Sequence, residues 1–327
     1  MKDQTITNKI LNWYDINKRS LPWRKKVSKR KKQYYTLVSE FMLQQTQVST
    51  VIPYFEKFIK NIPDLKTLAN FDDQKLVKLW EGLGYYSRVR NLKKTAQVVI
   101  KKFNKNIPSN FLELKSLPGI GDYTASAISA IAFNQPFIPL DGNIERVLKR
   151  YLYLKKEYQI TKEYLHEEKK VFGSTSRSSD YAQALMELGA LICKPNNPNC
   201  EQCPILVKCI SYKKKDFVLN KIKKKNKDKY YLLKVSKKNQ KYLLIKNTKF
   251  NFLKNFNIFP MQELIKPKNF NKDLNIKISN MNMNIKIKYD NKSRSESKPN
   301  WIDPKNLQNY TLPTFTKKIV NYLENHK

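Results

Sequence analysis

The sequence contains no apolar run that approaches the length of a membrane span. Its first twenty residues mix charged side chains such as Lys2, Asp3 and Lys9 with isolated apolar positions, which is unlike a signal peptide. From these two absences we expect a cytoplasmic protein without membrane association. Histidine is nearly missing as well, since His166 and His326 are the two in the chain and neither lies in a motif.

Acidic residues are scarce compared with basic ones. The chain has 64 Lys and Arg against 27 Asp and Glu, which gives a formal net charge of +37. Such a balance indicates binding to a polyanion through salt-dependent phosphate contacts. Lysine, asparagine and isoleucine are abundant throughout, as a biased coding composition produces, and this bias is the alternative explanation for part of the charge. At 327 residues the chain exceeds the usual size of one core, and we expect two domains.

Cysteine is also rare, and all four cysteines lie within one short segment at the spacing C-x6-C-x2-C-x5-C. They are Cys193, Cys200, Cys203 and Cys209. Four thiols so close together, in a chain without an export signal, argue against disulfides and for a metal site. The residue types alone leave both a zinc ion and an iron–sulfur cluster open, because both take four thiolate ligands.

The segment from Leu117 to Asn143 carries the most informative local pattern. It opens with the letters LPGIG, a turn whose glycines can adopt backbone angles closed to other residues. A helix rich in small residues follows, and the free N–H groups at its start favour an anion such as a phosphate group. Beyond this helix lies Asp141, an acid in a short apolar segment. A simple capping turn at a helix start is the alternative interpretation.

Three motifs carry a resemblance to a known family. The LPGIG turn with Asp141 beyond its helix resembles the helix-hairpin-helix and Gly/Pro/Asp signature of the base-excision glycosylases related to endonuclease III. The runs SEFMLQQTQV, which contains Glu40, and LVKLWEGLGYY, which contains Tyr85, are similar to the MutY adenine glycosylases. The resemblance implies a mainly α fold, a helix-hairpin-helix glycosylase with a 4Fe–4S cluster loop, followed by a smaller C-terminal α/β Nudix-like domain.

The resemblance also implies roles for individual residues. Glu40 would be the catalytic acid and Asp141 would stabilise the oxocarbenium ion, with Tyr123 and Asn143 beside them in the catalytic group. Residues expected to bind DNA are Gln44, Gln45 and Tyr85, which enter the base stack or lie beside it, and Leu117, Gly119 and Gly121 of the hairpin. The expected adenine pocket consists of Arg19, Trp23 and Gln183. The implied substrate is double-stranded DNA with 8-oxoguanine·A or G·A mispairs, bound by a monomer.

The four cysteines have the spacing that holds a 4Fe–4S cluster in the endonuclease III and MutY families. The resemblance therefore favours the cluster over zinc. Its expected role is structural, because it would order the loop between Cys203 and Cys209 against DNA.

Tyr123 distinguishes a monofunctional glycosylase from a bifunctional glycosylase/lyase. Bifunctional relatives of endonuclease III place a lysine at this position, and that lysine forms a Schiff base with the sugar, which a phenol cannot do. We therefore expect a monofunctional adenine glycosylase and keep a bifunctional glycosylase/lyase for oxidised pyrimidines as the alternative. A non-catalytic iron–sulfur DNA-binding protein is a further alternative, which the joint presence of Glu40 and Asp141 disfavours.

The resemblance divides the chain into three regions. Residues 1–212 would form the helical glycosylase region, with a six-helix lobe at about 25–135 and a cluster lobe from 1–24 and 136–212. Residues 213–230 would be a basic linker, and residues 231–327 the divergent Nudix-like domain. From Ser211 to Gln240 the chain has the lysine-rich composition of a linker.

Local patterns predict the elements. The basic run Arg24–Lys32 reads as a solvated loop or a contact to the DNA backbone, and Tyr35–Thr50 reads as one helix. Predicted C-terminal elements are strands at Tyr242–Ile245, Ile258–Phe259, Ile276–Ile278 and Met283–Ile287 and a helix at Leu312–Leu323.

The expected reader of 8-oxoguanine is the least complete motif. The family carries a Phe-Ser-His element there, and Ile278, Ser279 and Asn280 align with it, so asparagine replaces the histidine. The glycine-rich piece expected near Phe252–Phe259 is absent. Ser279 and Asn280 are thus the predicted reading residues in a domain that departs from the family pattern.

Overall fold

The computed structural model describes residues 5–155, 160–219, 226–278, 280–290 and 300–326. The chain divides into two compact units. The first consists of Met1–Phe71 and Ser87–Lys221, and the second of Asp72–Tyr86 and Ile222–Lys327. Within the described ranges, no helix is long and apolar enough to cross a membrane.

Helices make up the framework of the first unit. In chain order they are α1 Ile6–Asn17, α2 Lys29–Leu43, α3 Val48–Asn61, α4 Leu65–Asn70, α5 Asp73–Leu79 (which belongs to the second unit), α6 Ser87–Lys102, α7 Phe111–Lys115, α8 Asp122–Phe133, α9 Gly142–Tyr151, α10 Lys162–Glu168, α11 Ser178–Glu187 and α12 Ile210–Lys213. A π-helical turn, Leu188–Ile192, extends α11. Short 3-10 turns occur at Pro22–Arg24, Lys169–Phe172, Cys200–Gln202 and Leu206–Lys208.

Helix α8 lies in the centre of the first unit. Its small residues Ala125, Ala127 and Ala130 are fully buried, and it packs against both α2 and α11. A helix that is apolar on all sides belongs in an interior, and short side chains let its neighbours approach closely. A second core joins α1, α9 and α11 around Leu148 and Leu185, and three of the four cysteines pack against it.

The structure corrects two local predictions around α2. The helix begins at Lys29, because the Ser28 hydroxyl caps it by accepting a hydrogen bond from the Lys31 N–H. The last four residues of the basic run Arg24–Lys32 are therefore helical and not part of a loop. The predicted helix Tyr35–Thr50 is interrupted after Leu43, since Gln45 adopts a φ of +59° that a right-handed helix excludes.

The second unit contains two small sheets and a helix besides α5. Its strands are β1 Lys227–Val235, β2 Lys237–Lys238, β3 Lys241–Lys246, β4 Asn257–Ile258, β5 Met261–Leu264, β6 Leu274–Ile278, β7 Met281–Tyr289 and β8 Asn300–Ile302, followed by a 3-10 turn at Pro304–Asn309 and by α13 Thr314–Asn325. One sheet has the order β5-β1-β7-β6, with β1 and β7 parallel and the other pairs antiparallel. The other sheet has the order β2-β3-β4, and β8 also pairs with β3.

Apolar side chains of both sheets and of α13 form the core of the second unit. The predicted C-terminal strands are all present, with Ile258–Phe259 reduced to its first residue, and the predicted terminal helix is present as α13. The composition-based reading of Ser211–Gln240 as a linker is wrong from Lys227 onward, where β1 begins. In β1 the buried Tyr231, Leu233 and Val235 alternate with more exposed positions, and the lysines among the latter hide the strand from a reading of composition.

The stretch Asp72–Tyr86 is part of the second unit through specific contacts. Lys78 Nζ donates hydrogen bonds to the backbone oxygens of Gln308, at 2.9 Å, and of Tyr310, at 3.4 Å. Glu81 forms ion pairs with Lys78 and with Lys317. The ring of Tyr86 lies against that of Phe256, with 4.3 Å between centroids.

Candidate active site

A cleft of about 1070 Å³ opens in the first unit, and most of the predicted site residues line it. Four elements meet there: α2, the hairpin before α8, the start of α9 and one face of α11. Predicted residues on its wall are Arg19, Trp23, Glu40, Gln44, Gln45, Gly119, Gly121, Tyr123, Asp141, Asn143 and Gln183.

Glu40 is a buried acid near the end of α2, with 4% of its surface exposed. Its neighbours Leu37 and Phe41 are fully buried, so the helix carries the carboxyl group into an apolar interior. The pKa of Glu40 is raised from 4.5 to about 7, chiefly by burial. A hydrogen bond from Tyr123 opposes the rise, and the negative charge of Asp141 contributes to it. A carboxyl group with such a pKa carries a proton for a large part of the time at neutral pH.

Tyr123, the second residue of α8, connects the hairpin helix to Glu40. Its hydroxyl donates a hydrogen bond to Glu40 Oε2 at 3.2 Å. Burial raises the pKa of Tyr123 well above its ordinary value, and the nearby Glu40 and Asp141 add to the rise. The phenol therefore remains protonated and serves as a hydrogen-bond donor.

Asp141 is the N-cap of α9. Its Oδ1 accepts hydrogen bonds from the backbone N–H groups of Asn143, at 2.9 Å, and Ile144, at 2.7 Å, while Oδ2 accepts one from Asn143 Nδ2 at 2.8 Å. Burial raises the pKa of Asp141, and these three hydrogen bonds oppose the rise because they stabilise the charged form. The helix start thus fixes a carboxylate in one orientation at the edge of the cleft.

Asn143 is held in turn by residues that the sequence did not single out. Its Oδ1 accepts a hydrogen bond from Arg146 Nη2 at 2.8 Å, and the same nitrogen donates to the backbone oxygen of Gly189 at 2.7 Å. A Cβ atom on Gly189 would lie 2.6 Å from Asn143 Cβ, so only glycine fits between α9 and the π-helical turn. An isolated glycine in the helical pattern Tyr181–Ile192 was the available signal.

The predicted adenine pocket contains a buried ion cluster. Arg19 binds Glu187 with two hydrogen bonds, of 2.7 and 2.8 Å, and Arg24 Nη1 lies 2.9 Å from Glu187 Oε1. Glu187 is fully buried, and a buried charge requires such partners. Glu187 was missed, because nothing in the sequence distinguishes it from an ordinary surface charge. Arg24 was predicted only as part of a basic loop or DNA contact, and it pairs with Glu187 instead.

The other two pocket residues also have defined partners. The Trp23 ring packs edge-on against Phe55, with 5.3 Å between centroids. Gln183 is buried, and its Nε2 donates a hydrogen bond to the Ser179 backbone oxygen at 2.9 Å. Both side chains are thus held against the first unit at the wall of the cleft.

The hairpin has the predicted glycine geometry at Gly119 but not at Gly121, whose φ of −97° is open to any residue. Gly119 adopts a φ of +79°, and a Cβ atom there would lie 2.8 Å from Asn91 Cβ and 3.0 Å from Phe41 Cε1. Gly121 is the N-cap of α8 and leaves open space before the helix. Leu117 is 2% exposed, so its side chain belongs to the core and any contact it makes with DNA would involve its backbone.

The predicted DNA-inserting residues lie on turns with unusual backbone angles. Gln45 is exposed and follows Gln44, whose Nε2 donates to the Gly119 backbone oxygen and to Thr124 Oγ1, each at 3.4 Å. Tyr85 belongs to the second unit, is 46% exposed and has a φ of +46°.

The four cysteines line one small cavity next to Arg150. Arg150 Nη1 donates hydrogen bonds to Cys193 Sγ at 3.4 Å and to the Lys194 backbone oxygen at 2.6 Å. Burial raises the pKa of the Cys203 thiol to about 12, so this thiol ionises near neutrality only beside a strong positive charge such as a metal. In the part of the chain that the structure describes, no three His, Cys, Asp or Glu side chains converge as ligands of a single metal ion. The thiols surround a cavity instead.

The predicted 8-oxoguanine reader is described only in part. Asn280 is exposed and directly precedes β7, and its backbone oxygen accepts a hydrogen bond from the Lys227 N–H at 2.9 Å. Ser279 lies outside the described residues.

Comparison with known proteins assigns this chain to a class of DNA repair proteins. Residues 38–171 match the HhH-GPD superfamily of base excision DNA repair proteins. The structure of a thermostable thymine-DNA glycosylase is 26% identical in sequence and has a TM-score of 0.57, covering 64% of this chain and 95% of that chain. The hairpin, the buried glutamate and the capped aspartate therefore lie in the fold of a helix-hairpin-helix base excision repair protein.

Two curated relatives narrow the class. The adenine DNA glycosylase of Buchnera aphidicola subsp. Schizaphis graminum is 38% identical over 260 residues, which span 77% of this chain and 73% of the relative. That of Buchnera aphidicola subsp. Baizongia pistaciae is 42% identical over 240 residues, which span 72% and 67%. The chain belongs to the MutY family of adenine DNA glycosylases. The predicted helical glycosylase fold with a smaller C-terminal part is confirmed, and its Nudix-like character stays a prediction.

Proposed function

We propose that the protein hydrolyses the N-glycosidic bond of adenine mispaired with 8-oxoguanine or guanine in double-stranded DNA. The observation that carries this proposal is the pair of unlike carboxyl groups in one cleft. Glu40 has a pKa of about 7, whereas Asp141 accepts three hydrogen bonds that favour its charged form. Two carboxyl groups in different environments provide one acid and one anion.

The proposed chemistry uses both groups. When the C–N bond breaks, its electron pair leaves with adenine, and Glu40 donates a proton to the departing base. The sugar becomes oxocarbenium-like, and Asp141 stabilises its positive charge, as in the two-carboxylate arrangement of glycoside hydrolysis. Water then supplies hydroxide to the sugar and a proton that restores Glu40. The products are free adenine and an abasic site.

The absence of a lysine at position 123 supports a monofunctional enzyme. Tyr123 is a protonated phenol bonded to Glu40, and a phenol forms no Schiff base with the sugar. The strand would therefore remain intact after the base has left.

The substrate adenine must leave the base stack before it can reach the cleft, at a cost of about a few kcal/mol. Gln45 would occupy the space that it vacates, and the Gly119–Gly121 turn would bind a phosphate group at the start of α8. Tyr85 would enter the base stack from its own unit. The excess of basic residues suits a DNA backbone. We expect the protein to act as a monomer.

The four cysteines suit a 4Fe–4S cluster, because their partly buried thiols line one cavity and such a cluster takes four thiolate ligands. Cys193, Cys200, Cys203 and Cys209 would hold it. When bound, the cluster would supply a rigid cross-link for the surrounding loops. Arg150 would hold the first of these loops through its bonds to Cys193 and Lys194.

Recognition of 8-oxoguanine by the C-terminal unit is the most specific part of the proposal. Ser279 and Asn280 would supply it from the segment before β7. An asparagine amide can both donate and accept hydrogen bonds, but it cannot take a proton as histidine can. We therefore expect a smaller preference for 8-oxoguanine than an intact Phe-Ser-His element would give.

Single-turnover excision on two matched duplexes tests the function. One duplex carries adenine opposite 8-oxoguanine and the other adenine opposite guanine, and products are read with and without alkali. We expect alkali-dependent cleavage at the adenine, faster opposite 8-oxoguanine. Cleavage without alkali would indicate a lyase. Duplex binding without any excision would favour the non-catalytic DNA-binding protein.

A further inference from the structure

We propose that Arg88 is a positioning residue that holds the turn Gln44–Thr46 in the conformation with which Gln45 enters the duplex. Arg88 lies in the first turn of α6 and does not line the cleft. The inference rests on the proposed function, because it assigns Gln45 a task during base flipping.

The contacts of Arg88 converge on this turn. Its side chain is buried, and Nη1 lies 2.8 Å from the backbone oxygen of Met42, 2.6 Å from that of Gln44 and 3.1 Å from Thr46 Oγ1. The backbone oxygen of Phe41 is 3.3 Å away. Helix α2 ends here, and the last carbonyls of a helix have no partners within it. A cation suits this negative end of the helix.

The turn needs such support because of its backbone. Gln45 has a φ of +59°, and a residue with a side chain persists in this region only where its surroundings determine it. Gln44 ties one side of the turn to the hairpin through Gly119 and Thr124. Arg88 holds the other side of the turn. Its guanidinium donates hydrogen bonds to the Gln44 backbone oxygen, before Gln45, and to Thr46 Oγ1, after it. The turn is therefore fixed on two sides while Gln45 itself remains exposed.

Arginine is specifically suited to this position. Its planar guanidinium presents several N–H groups in a fixed geometry, whereas lysine offers one flexible ammonium group. The substitution Arg88→Lys keeps the charge at the end of α2 but loses the geometry. Arg88→Gln loses both. The exposed Lys94, on the same helix, provides the matched control Lys94→Gln, which removes a charge without touching the turn.

A double-mutant cycle between Arg88 and Gln45 tests the inference. Excision of adenine opposite 8-oxoguanine is measured under single-turnover conditions for Arg88→Gln, Gln45→Ala and the double variant. Base flipping is read from the fluorescence of 2-aminopurine at the target position, in a Glu40→Gln background that leaves the glycosidic bond intact. Thermal unfolding of every variant monitors the fold.

If Arg88 acts through Gln45, the two losses will not add. We expect Arg88→Gln to lower both excision and the fluorescence change by about tenfold or more, because small misplacements of positioning groups are costly. The double variant should be no worse than the worse single variant, Arg88→Lys should be intermediate, and Lys94→Gln should resemble the unmodified protein.

Losses that multiply in the double variant, or unchanged fluorescence in Arg88→Gln, would overturn the inference. If Arg88→Gln fails to fold, the same cycle with Arg88→Lys decides the question. A protein that excises no adenine would refute the proposed function separately, since the fluorescence measurements need only flipping and would still test Arg88.

Discussion

The Tyr123 hydroxyl donates a hydrogen bond to Glu40 Oε2 at 3.2 Å, and this bond opposes the rise that burial imposes on the pKa of Glu40. Bifunctional relatives carry a nucleophilic lysine at this position. In this chain Tyr123 takes its place and lowers the pKa of Glu40, the acid of the proposed reaction. Tyr123 binds the charged form of Glu40 and so keeps its pKa within reach of neutrality.

Removing this bond should move the pH dependence of excision. In Tyr123→Phe the carboxylate loses a donor, so the pKa of Glu40 should rise above its value of about 7 in the unmodified protein. Because the protonated form is the active one, the decline in rate at alkaline pH should begin at a higher pH. Single-turnover rates between pH 5 and 9 measure this alkaline decline, the alkaline limb of the pH–rate profile. The affinity for the duplex, measured over the same pH range, shows whether the change lies in the chemical step or in binding. An unmoved limb would show that Glu40 is not the titrating acid.

Glu40→Gln should abolish excision and stabilise the fold. Loss of the acid should lower the rate by about 10²–10⁴-fold or more. A carboxyl group with a pKa of about 7 when folded and 4.5 when unfolded costs no stability below pH 4.5. As the pH rises from 4.5 to 7, the unfolded chain ionises first, and about 3 kcal/mol of the free energy of unfolding is lost.

Glutamine does not titrate, so the gain in Tm of Glu40→Gln over the unmodified protein should be small at pH 5 and large at pH 8. The exposed Glu56 on α3 offers the control Glu56→Gln, whose effect on Tm should not grow in this way. Equal gains at both pH values would mean that Glu40 is not destabilised by burial.

Asp141→Asn should separate catalysis from folding. Asparagine caps a helix about as well as aspartate, so the free energy of unfolding should change by less than about 1 kcal/mol. The rate should fall by about 10²-fold or more, because a neutral amide cannot stabilise a positive sugar. Single-turnover excision and thermal unfolding, measured on the same preparation, test both parts. A variant that is stable and fully active would remove Asp141 from the mechanism.

Gly189→Ala should destabilise the protein and impair excision together. The added Cβ would lie 2.6 Å from Asn143 Cβ, and such overpacking costs about 1–3 kcal/mol. Since Asn143 donates to Asp141, the carboxylate should also be displaced. Gly142→Ala is the stability control, because a Cβ atom there meets no atom within 4 Å. Denaturant unfolding of both variants decides the matter, and equal stabilities would contradict the predicted clash.

Purified protein should show the visible absorption of an iron–sulfur cluster and contain iron, not zinc, by metal analysis. Cys203→Ser should lose the absorption, because the hydroxyl of serine is a poor replacement for a thiolate. Retention of zinc with no visible absorption would reverse the assignment in favour of a zinc site.

The parts of the site that the sequence revealed are those carried by short contiguous motifs. Glu40, Asp141 and the hairpin glycines belong to runs in which neighbouring residues constrain one another, and the structure brings all three to one cleft. The break after Leu43 was missed because QQTQ continues a helical pattern, and only the contacts of the folded chain hold Gln45 in a left-handed conformation. Glu187 and Gly189 depend on partners distant in sequence.

In the C-terminal unit, prediction from composition failed for a different reason. Its strands carry lysines on their exposed positions, so composition predicts a linker where β1 begins. The inward residues Tyr231, Leu233 and Val235 still alternate, and this periodicity was the signal that lysine content obscured.

The grouping of Asp72–Tyr86 with the C-terminal strands has a consequence for protein engineering. A fragment that ends before Lys227 would retain Lys78 and Tyr86 but lose Gln308, Tyr310 and Phe256, which contact them. A C-terminal fragment would in turn lack α5. The two units are interleaved along the gene, so neither is an exchangeable module. Chimeras between relatives would have to exchange both segments of the second unit together.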